Sequence, residues 1–149
     1  MDVKVVSTNR KARFEYFITD TFEAGLALLG SEIKSIRKGQ ISLQEAYVRT
    51  DGQQAWLVGA HVAPYEQATT TPHNPTRERK LLLHKREIRK LWDAVRIKGM
   101  TIVPIRVYLK YGRAKLEIGI ARGKRLYDKR ESIKQRDAQR EAMRRGQYD

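Results

Sequence analysis

The chain has 149 residues, 40% of them hydrophobic, a formal net charge of +14 and no cysteine. That size suits one domain plus an extension, and the missing thiols exclude disulfides, thiolate catalysis and Cys-containing zinc sites. No apolar run approaches the roughly 18–20 residues that span a bilayer, and the opening MDVKVVSTNRKARFEYF lacks a secretory signal, so a soluble cytoplasmic protein without membrane contact is expected.

Residues 1–13 read as a flexible approach to the domain. In FEYFITDTFEAGLALLG, Phe14, Tyr16 and Ile18 alternate with polar positions, and Phe22, Ala24, Leu26 and Leu28 alternate again after Thr19-Asp20-Thr21. Period 2 around a short polar connection predicts a hairpin. A helix over 22–37 competes, because Phe22, Leu26, Leu29, Ile33 and Ile36 also fall near helical spacing. Otherwise a short helix starts at Ser31 and stops at Gly39.

ISLQEAYVRT and QQAWLVGAHV flank Asp51-Gly52, which predicts a second hairpin with a primed turn, its Trp56, Val58, Ala60 and Val62 on one face. From Pro64 to Arg79, Pro72, Pro75 and a threonine run make a long loop, the kind of segment that carries function. Lys80–Leu83 reads as a brief strand. Ile88, Leu91, Trp92 and Val95 then form one stripe of a helix over about 84–98, with Gly99 as its stop and Glu87 three residues after a His84 cap. MTIVPIRVYLK and RAKLEIGIA form a hairpin around Tyr111-Gly112, and Pro104 puts the first of these strands at an edge or on a bulge. Six or seven strands with two helices point to a small closed or nearly closed antiparallel barrel over 14–121, with no internal repeat.

Residues 122–149 differ in kind. They hold ten Lys/Arg and five Asp/Glu, with few apolar groups. Acid–base pairs three and four apart favour a helix only weakly, so this tail is expected to become helical when bound to an outside surface. Body and tail are both basic, which favours a nucleic acid as partner, since each neutralised phosphate releases counterions.

Catalytic constellations are missing. His61, His73 and His84 are scattered at no metal-ligand spacing, and Gly119-x-x-x-Gly123-Lys124 lacks the Ser/Thr of a phosphate loop. Glu32 and Glu45 read as exposed charge. Neither an enzyme nor a metal or cofactor is expected. Binding features are richer. TRERKLLLHKREIRK sets Arg77, Arg79, Lys80, Lys85, Arg86, Arg89 and Lys90 around Leu81–Leu83, and strand alternation turns Leu82 outward if Leu81 and Leu83 are core. Asn9-Arg10-Lys11 can reach RNA from the approach segment. Glu23 can accept from a nucleobase amino group or simply face solvent. In the tail, the Tyr127 ring sits among Lys124, Arg125, Lys129 and Arg130, a setting for base stacking.

NRKARFEYFITDTFEAGLALLGSEIKSIRKGQISLQEAYV, NPTRERKLLLHKREIRKL and GRAKLEIGIARGKRLYDKRESIKQRDAQRE closely resemble, in this order, blocks of the SsrA-binding protein family, also called small protein B. The resemblance runs from Asn9 to about Glu141. It implies an oligonucleotide-binding (OB) type barrel that holds the elbow of the tRNA-like domain of transfer-messenger RNA, with Asn9, Glu23 and Leu82 at the family's RNA-contacting positions beside Arg10, Lys11 and Lys80. It implies a tail that turns helical in the empty messenger channel of a stalled ribosome. There Gly123 to Arg130 match the decoding-site element, with Tyr127 at the family's ring position and Asp128-Lys129-Arg130 as its triplet. Lys134, Arg136 and Arg140 would line up with rRNA of the small subunit. Further implications are a monomer that meets elongation factor Tu only through charged transfer-messenger RNA, and no catalytic residue, because the ribosome performs peptidyl transfer. A general single-strand binder of OB type is the alternative. It would need a track of aromatic side chains, whereas the aromatics here mostly occupy positions expected to face the core.

Overall fold

The computed structural model describes residues 3–64 and 73–124. Strands β1 (Val3–Thr8), β2 (Tyr16–Leu26), β3 (Ile41–Ser42), β4 (Tyr47–Thr50), β5 (Ala55–Val58), β6 (His61–Val62), β7 (Arg79–Leu82), β8 (Thr101–Lys110) and β9 (Arg113–Gly123) alternate with helices α1 (Arg10–Glu15), α2 (Gly30–Arg37) and α3 (Lys85–Arg96). Seven strands form one antiparallel sheet in the order β1-β8-β9-β2-β7-β5-β4, and β3 pairs with β6 separately. The sheet curls until β4 packs against β8, as an OB-type barrel requires. Its interior holds Ala24, Val48, Leu57, Leu81, Val107, Leu116 and Ile118, closed by Ile36 from α2 and Leu91 from α3. Each fully buried Leu or Ile contributes about 1.5–3 kcal/mol.

The long hairpin β8–β9 follows from its turn. Tyr111 and Gly112 both have positive φ, at 53° and 76°, which is the primed geometry that matches strand twist. Pro104 sits at a bulge, where the register shifts between Pro104 and Arg106; β8 is not an edge strand, because β1 covers it. In α3, Ile88, Leu91 and Ala94 face the core, and Glu87 Oε1 accepts from the His84 N–H at 3.0 Å.

Several expectations change. From residue 3 on, the expected loose approach over 1–13 is ordered structure: β1 pairs with β8 from Val3↔Lys110 to Thr8↔Arg106, and α1 follows at once. Val3 and Val5 stay 46% exposed, so this strand is held by its ladder more than by apolar burial, and its sequence carried little pattern. Residues 16–26 form one strand, not a hairpin, and Thr19-Asp20-Thr21 runs through it with a bulge between Ile18 and Asp20. The whole length is stabilised by β9, its distant partner. A helix over 22–37 is overturned for the same reason; only its last part, α2, is helical. The 51–54 connection is a four-residue loop, in which Asp51 Oδ1 accepts from the N–H groups of Gln53 and Gln54 at 2.9 and 2.8 Å.

Trp56 and Val58 do not share a face with Ala60 and Val62. Gly59, at φ +81°, breaks the alternation, so Ala55 and Leu57 point inward before it and Ala60 and Val62 after it. A Cβ at Gly59 would stand 2.8 Å from the Glu45 carbonyl oxygen. Gly59→Ala is therefore expected to cost about 1–3 kcal/mol, read as a lower urea midpoint at unchanged slope.

Glu32 is fully buried, contrary to its reading as surface charge. Its Oε1 accepts from Arg77 Nη2 at 2.5 Å and the Leu29 N–H at 2.8 Å, and its Oε2 accepts from Arg79 Nε at 2.7 Å. Arg79, 1% exposed, also donates to the carbonyls of Ala60 and Pro75 at 3.0 and 3.1 Å. Arg79 thus leaves the set of RNA-facing cations, and Arg77, though partly exposed, is engaged by Glu32. Beside them His73 donates from Nε2 to the Val62 carbonyl and shares a hydrogen bond between Nδ1 and the Ser31 hydroxyl, both at 2.9 Å.

Candidate nucleic-acid interface

One concavity of about 550 Å³ gathers Glu23 and Gly25 from β2, Lys80 and Leu82 from β7, Lys85 from the start of α3 and Lys115 from β9. Period 2 explains the central pair. Leu81 is 1% exposed and Leu82 is 55% exposed, so β7 seals the core with one leucine and offers the next to solvent. Gly25 lies opposite Leu82 in the ladder, and a Cβ there would come within 3.1 Å of the Leu82 Cβ. The missing side chain lets Leu82 rest on bare backbone as a raised apolar platform ringed by lysines.

Glu23 is held from the far side of β9. Its Oε2 accepts from the Tyr108 hydroxyl and lies 3.5 Å from Lys110 Nζ. The Tyr108 hydrogen bond outweighs burial, and with Lys110 and Lys115 it keeps the Glu23 carboxyl below its usual range, so the group is ionised at neutral pH. Burial and then the Glu23 carboxylate push the Tyr108 phenol up, so it remains an O–H donor. The result is an oriented, two-oxygen acceptor beside an apolar platform and three amines, which suits a base edge with its neighbouring phosphates.

Tyr108, Lys110, Lys115 and Gly25 were not among the expected site residues. Gly25 inside a strand pattern was a legible signal for a close approach. Tyr108 was not, because it reaches Glu23 across an intervening strand.

The remaining expected residues lie apart. Asn9 is 7% exposed and its amide is committed internally. Nδ2 donates to the carbonyls of Pro104 and Leu43 at 3.0 and 3.3 Å, and Oδ1 accepts from the Ala12 N–H at 3.3 Å. It is a helix cap that positions α1, not a side chain free to meet RNA. Arg10 and Lys11 are exposed on α1, where Lys11 Nζ lies 3.5 Å from Glu45. This group adjoins the start of β2, seven residues and roughly 23 Å along the strand from Glu23. Of the tail residues, Gly123 closes β9 opposite Tyr16, and the Lys124 N–H donates to the Glu15 carbonyl at 2.8 Å. The ordered body therefore extends past residue 121. Arg125, Tyr127, Asp128, Lys129, Arg130, Lys134, Arg136 and Arg140 lie outside the described residues.

Among the described residues, no cluster of three or more His, Asp or Glu could hold a metal ion, and no helix is long and apolar enough to cross a membrane. The aromatics do not mostly face the core. Phe14, Phe17, Tyr47 and Tyr111 are 41–73% exposed, yet they sit on separate elements and make no continuous track.

The SmpB protein family profile matches residues 6–148. An SsrA-binding protein of Roseiflexus sp. (strain RS-1) is 56% identical over 142 residues, covering 95% of this chain and 90% of the relative. Another from Desulforudis audaxviator (strain MP104C) is 52% identical over 141 residues, covering 95% and 92%. A solved structure described as "tmRNA-SmpB: a journey to the center of the bacterial ribosome" shares 41% identity at a TM-score of 0.68, covering 85% of this chain and 93% of that one. The sequence relatives match nearly end to end and the solved structure shares the fold, and on that footing the chain belongs to the SmpB protein family.

Proposed function

We propose that this protein binds the tRNA-like domain of transfer-messenger RNA and delivers it to stalled ribosomes for trans-translation. The observation that carries the reading is the single groove joining Glu23, Lys80 and Leu82 in a chain whose relatives are SsrA-binding proteins. Glu23 accepts from a base at the RNA elbow, Leu82 packs against an unstacked base, and Lys80, Lys85 and Lys115 hold phosphates. The tail enters the vacant messenger channel, with Gly123 to Arg130 at the decoding centre and Lys134, Arg136 and Arg140 along the rRNA walls. When messenger fills the channel, its phosphates take that path and the tail cannot fold there. The protein works as a cytoplasmic monomer, and elongation factor Tu joins it only through charged transfer-messenger RNA. No step of this scheme asks the protein for catalysis.

Filter binding at several salt concentrations tests the proposal. The tRNA-like domain is expected to bind far more tightly than an unstructured oligonucleotide of equal length. Equal affinity would instead support a general single-strand binder, the reading favoured by the four exposed rings. Glu23→Gln and Leu82→Ala are each expected to weaken the tRNA-like complex by about tenfold while leaving circular dichroism unchanged.

Tyr108→Phe gives a test with a sign. Losing the phenol raises the Glu23 pKa toward its ordinary value of 4.5. RNA binding that needs the carboxylate is present above that pKa and fades as pH falls through it. The acid limb of the binding profile should therefore move to higher pH in Tyr108→Phe and be missing in Glu23→Gln. An identical acid limb in all three proteins would remove Glu23 from the interface.

A further inference from the structure

We propose a second RNA-binding site on the body, at the root of the tail: Phe17 is a stacking platform for one unpaired nucleobase, and Arg122 and Lys124 take its flanking phosphates. The inference rests on the RNA-binding reading above, which already sets Lys124 at the decoding centre, and adds Phe17 and Arg122 beside it on a surface remote from the groove.

Phe17 is 41% exposed on β2 and pairs in register with Arg122 on β9. Its neighbours Tyr16 and Ile18 pack against the small cluster of Ala12, Val103 and Ala121, which leaves the Phe17 ring outward. The bulge immediately beyond, between Ile18 and Asp20, bends the strand there, and such bulges commonly re-aim side chains at working surfaces. The Arg122 guanidinium carbon stands 5.7 Å from the ring centre and Lys124 Nζ stands 4.9 Å from it. Among the described residues, neither cation meets a carboxylate within ion-pair distance.

Rigidity separates this arrangement from an ordinary exposed ring. Phe17 and Arg122 are fixed by the β2–β9 ladder, and the Lys124 backbone is pinned to the Glu15 carbonyl at 2.8 Å. Two cations with no carboxylate partner among the described residues, set beside one half-bare ring, repel each other and gain little from the ring in water. A nucleotide answers both needs, because its two phosphates draw the cations off the ring and its base takes their place over it. Charge selects a nucleic acid over an apolar peptide here, and a single ring selects one looped-out base over a duplex. The base can come from the tRNA-like RNA or from ribosomal RNA.

The test compares full-length Phe17→Ala, Phe17→Leu and Phe17→Tyr on two probes, a transcript of the tRNA-like domain and vacant small ribosomal subunits. Ala and Leu are expected to weaken binding to one of the probes by at least about fivefold, while Tyr stays within about twofold, because stacking needs a ring. Arg122→Gln and Lys124→Gln should each lower the salt slope for that same probe by about 0.7–0.9. Whichever probe responds names the source of the base. Should Phe17→Leu bind both probes like the parent, or Phe17→Tyr fail as badly as Phe17→Leu, the platform is overturned. Failure of the parent protein to bind the transcript would refute the groove proposal, and the subunit arm would still report on Phe17.

Discussion

Glu32→Ala is expected to remove about 3–5 kcal/mol from the stability of the fold, read as a much lower urea midpoint. Among the described residues, the substitution removes the only carboxylate facing Arg79, a guanidinium 1% exposed to solvent, and also takes from Arg77 and the Leu29 N–H a carboxylate acceptor. Breaking a buried ion pair from one side costs about 3–5 kcal/mol, against a total stability of about 5–15 kcal/mol for a domain. The cost comes mostly from the stranded cation, so removing both partners should be gentler. Glu32→Leu combined with Arg79→Met is expected to recover much of the loss in urea unfolding. If Glu32→Ala unfolds at the parental midpoint, the buried cluster contributes nothing to stability.

Acid supplies an independent readout of the same cluster. Burial pushes the Glu32 carboxyl up, but hydrogen bonds from Arg77, the Leu29 N–H and Arg79 outweigh it and hold the folded value below the ordinary 4.5. A carboxyl depressed in the folded state stabilises above its unfolded pKa, and that contribution is lost as pH falls through the folded one. The parent protein should lose stability in that acid window. Glu32→Gln should start lower and show a shallower decline there.

Strand period and turn chemistry made much of this fold legible in the sequence. Tyr111-Gly112, the Leu81–Leu82 alternation and the α3 stripe are local features, each decided within a few residues, whereas Asp51-Gly52 marked a hairpin but not its four-residue loop. What stayed hidden depends on partners far along the chain. Thr19-Asp20-Thr21 looks like a turn until β9 supplies a continuous ladder beside it. Glu32 looks like surface charge until Arg77 and Arg79 arrive from about 45 positions away. Val3–Thr8 turns only Val6 onto the core and exists as a strand because β8 offers an edge. The interface divides along the same line. Leu82 and Lys80 follow from alternation, and Glu23 from alternation plus the family resemblance. Tyr108, which orients Glu23 from two strands away, is visible only in the folded chain, as is the internal use of the Asn9 amide.

Truncation after Lys124 should separate the two halves of the proposed mechanism. Arg122 and Gly123 are rungs of β9, and Lys124 is tied to Glu15, so cutting earlier, at Ala121, would damage the sheet and confuse folding with function. A chain ending at Lys124 keeps every described contact of the barrel and the whole Glu23–Leu82 groove. It is expected to bind the tRNA-like domain with little loss, while peptide tagging on stalled ribosomes falls to background. The reason is mechanical. The groove can hold the RNA, but eight Lys/Arg beyond Lys124 are gone and nothing remains to fill the vacant messenger channel. Salt dependence shows which half the tail serves. If those cations gripped the tRNA-like domain, truncation would flatten the slope of its affinity against salt by several units. An unchanged slope with tagging abolished assigns the tail to the ribosome, whereas tagging at the parental level would leave the groove as the protein's whole contribution.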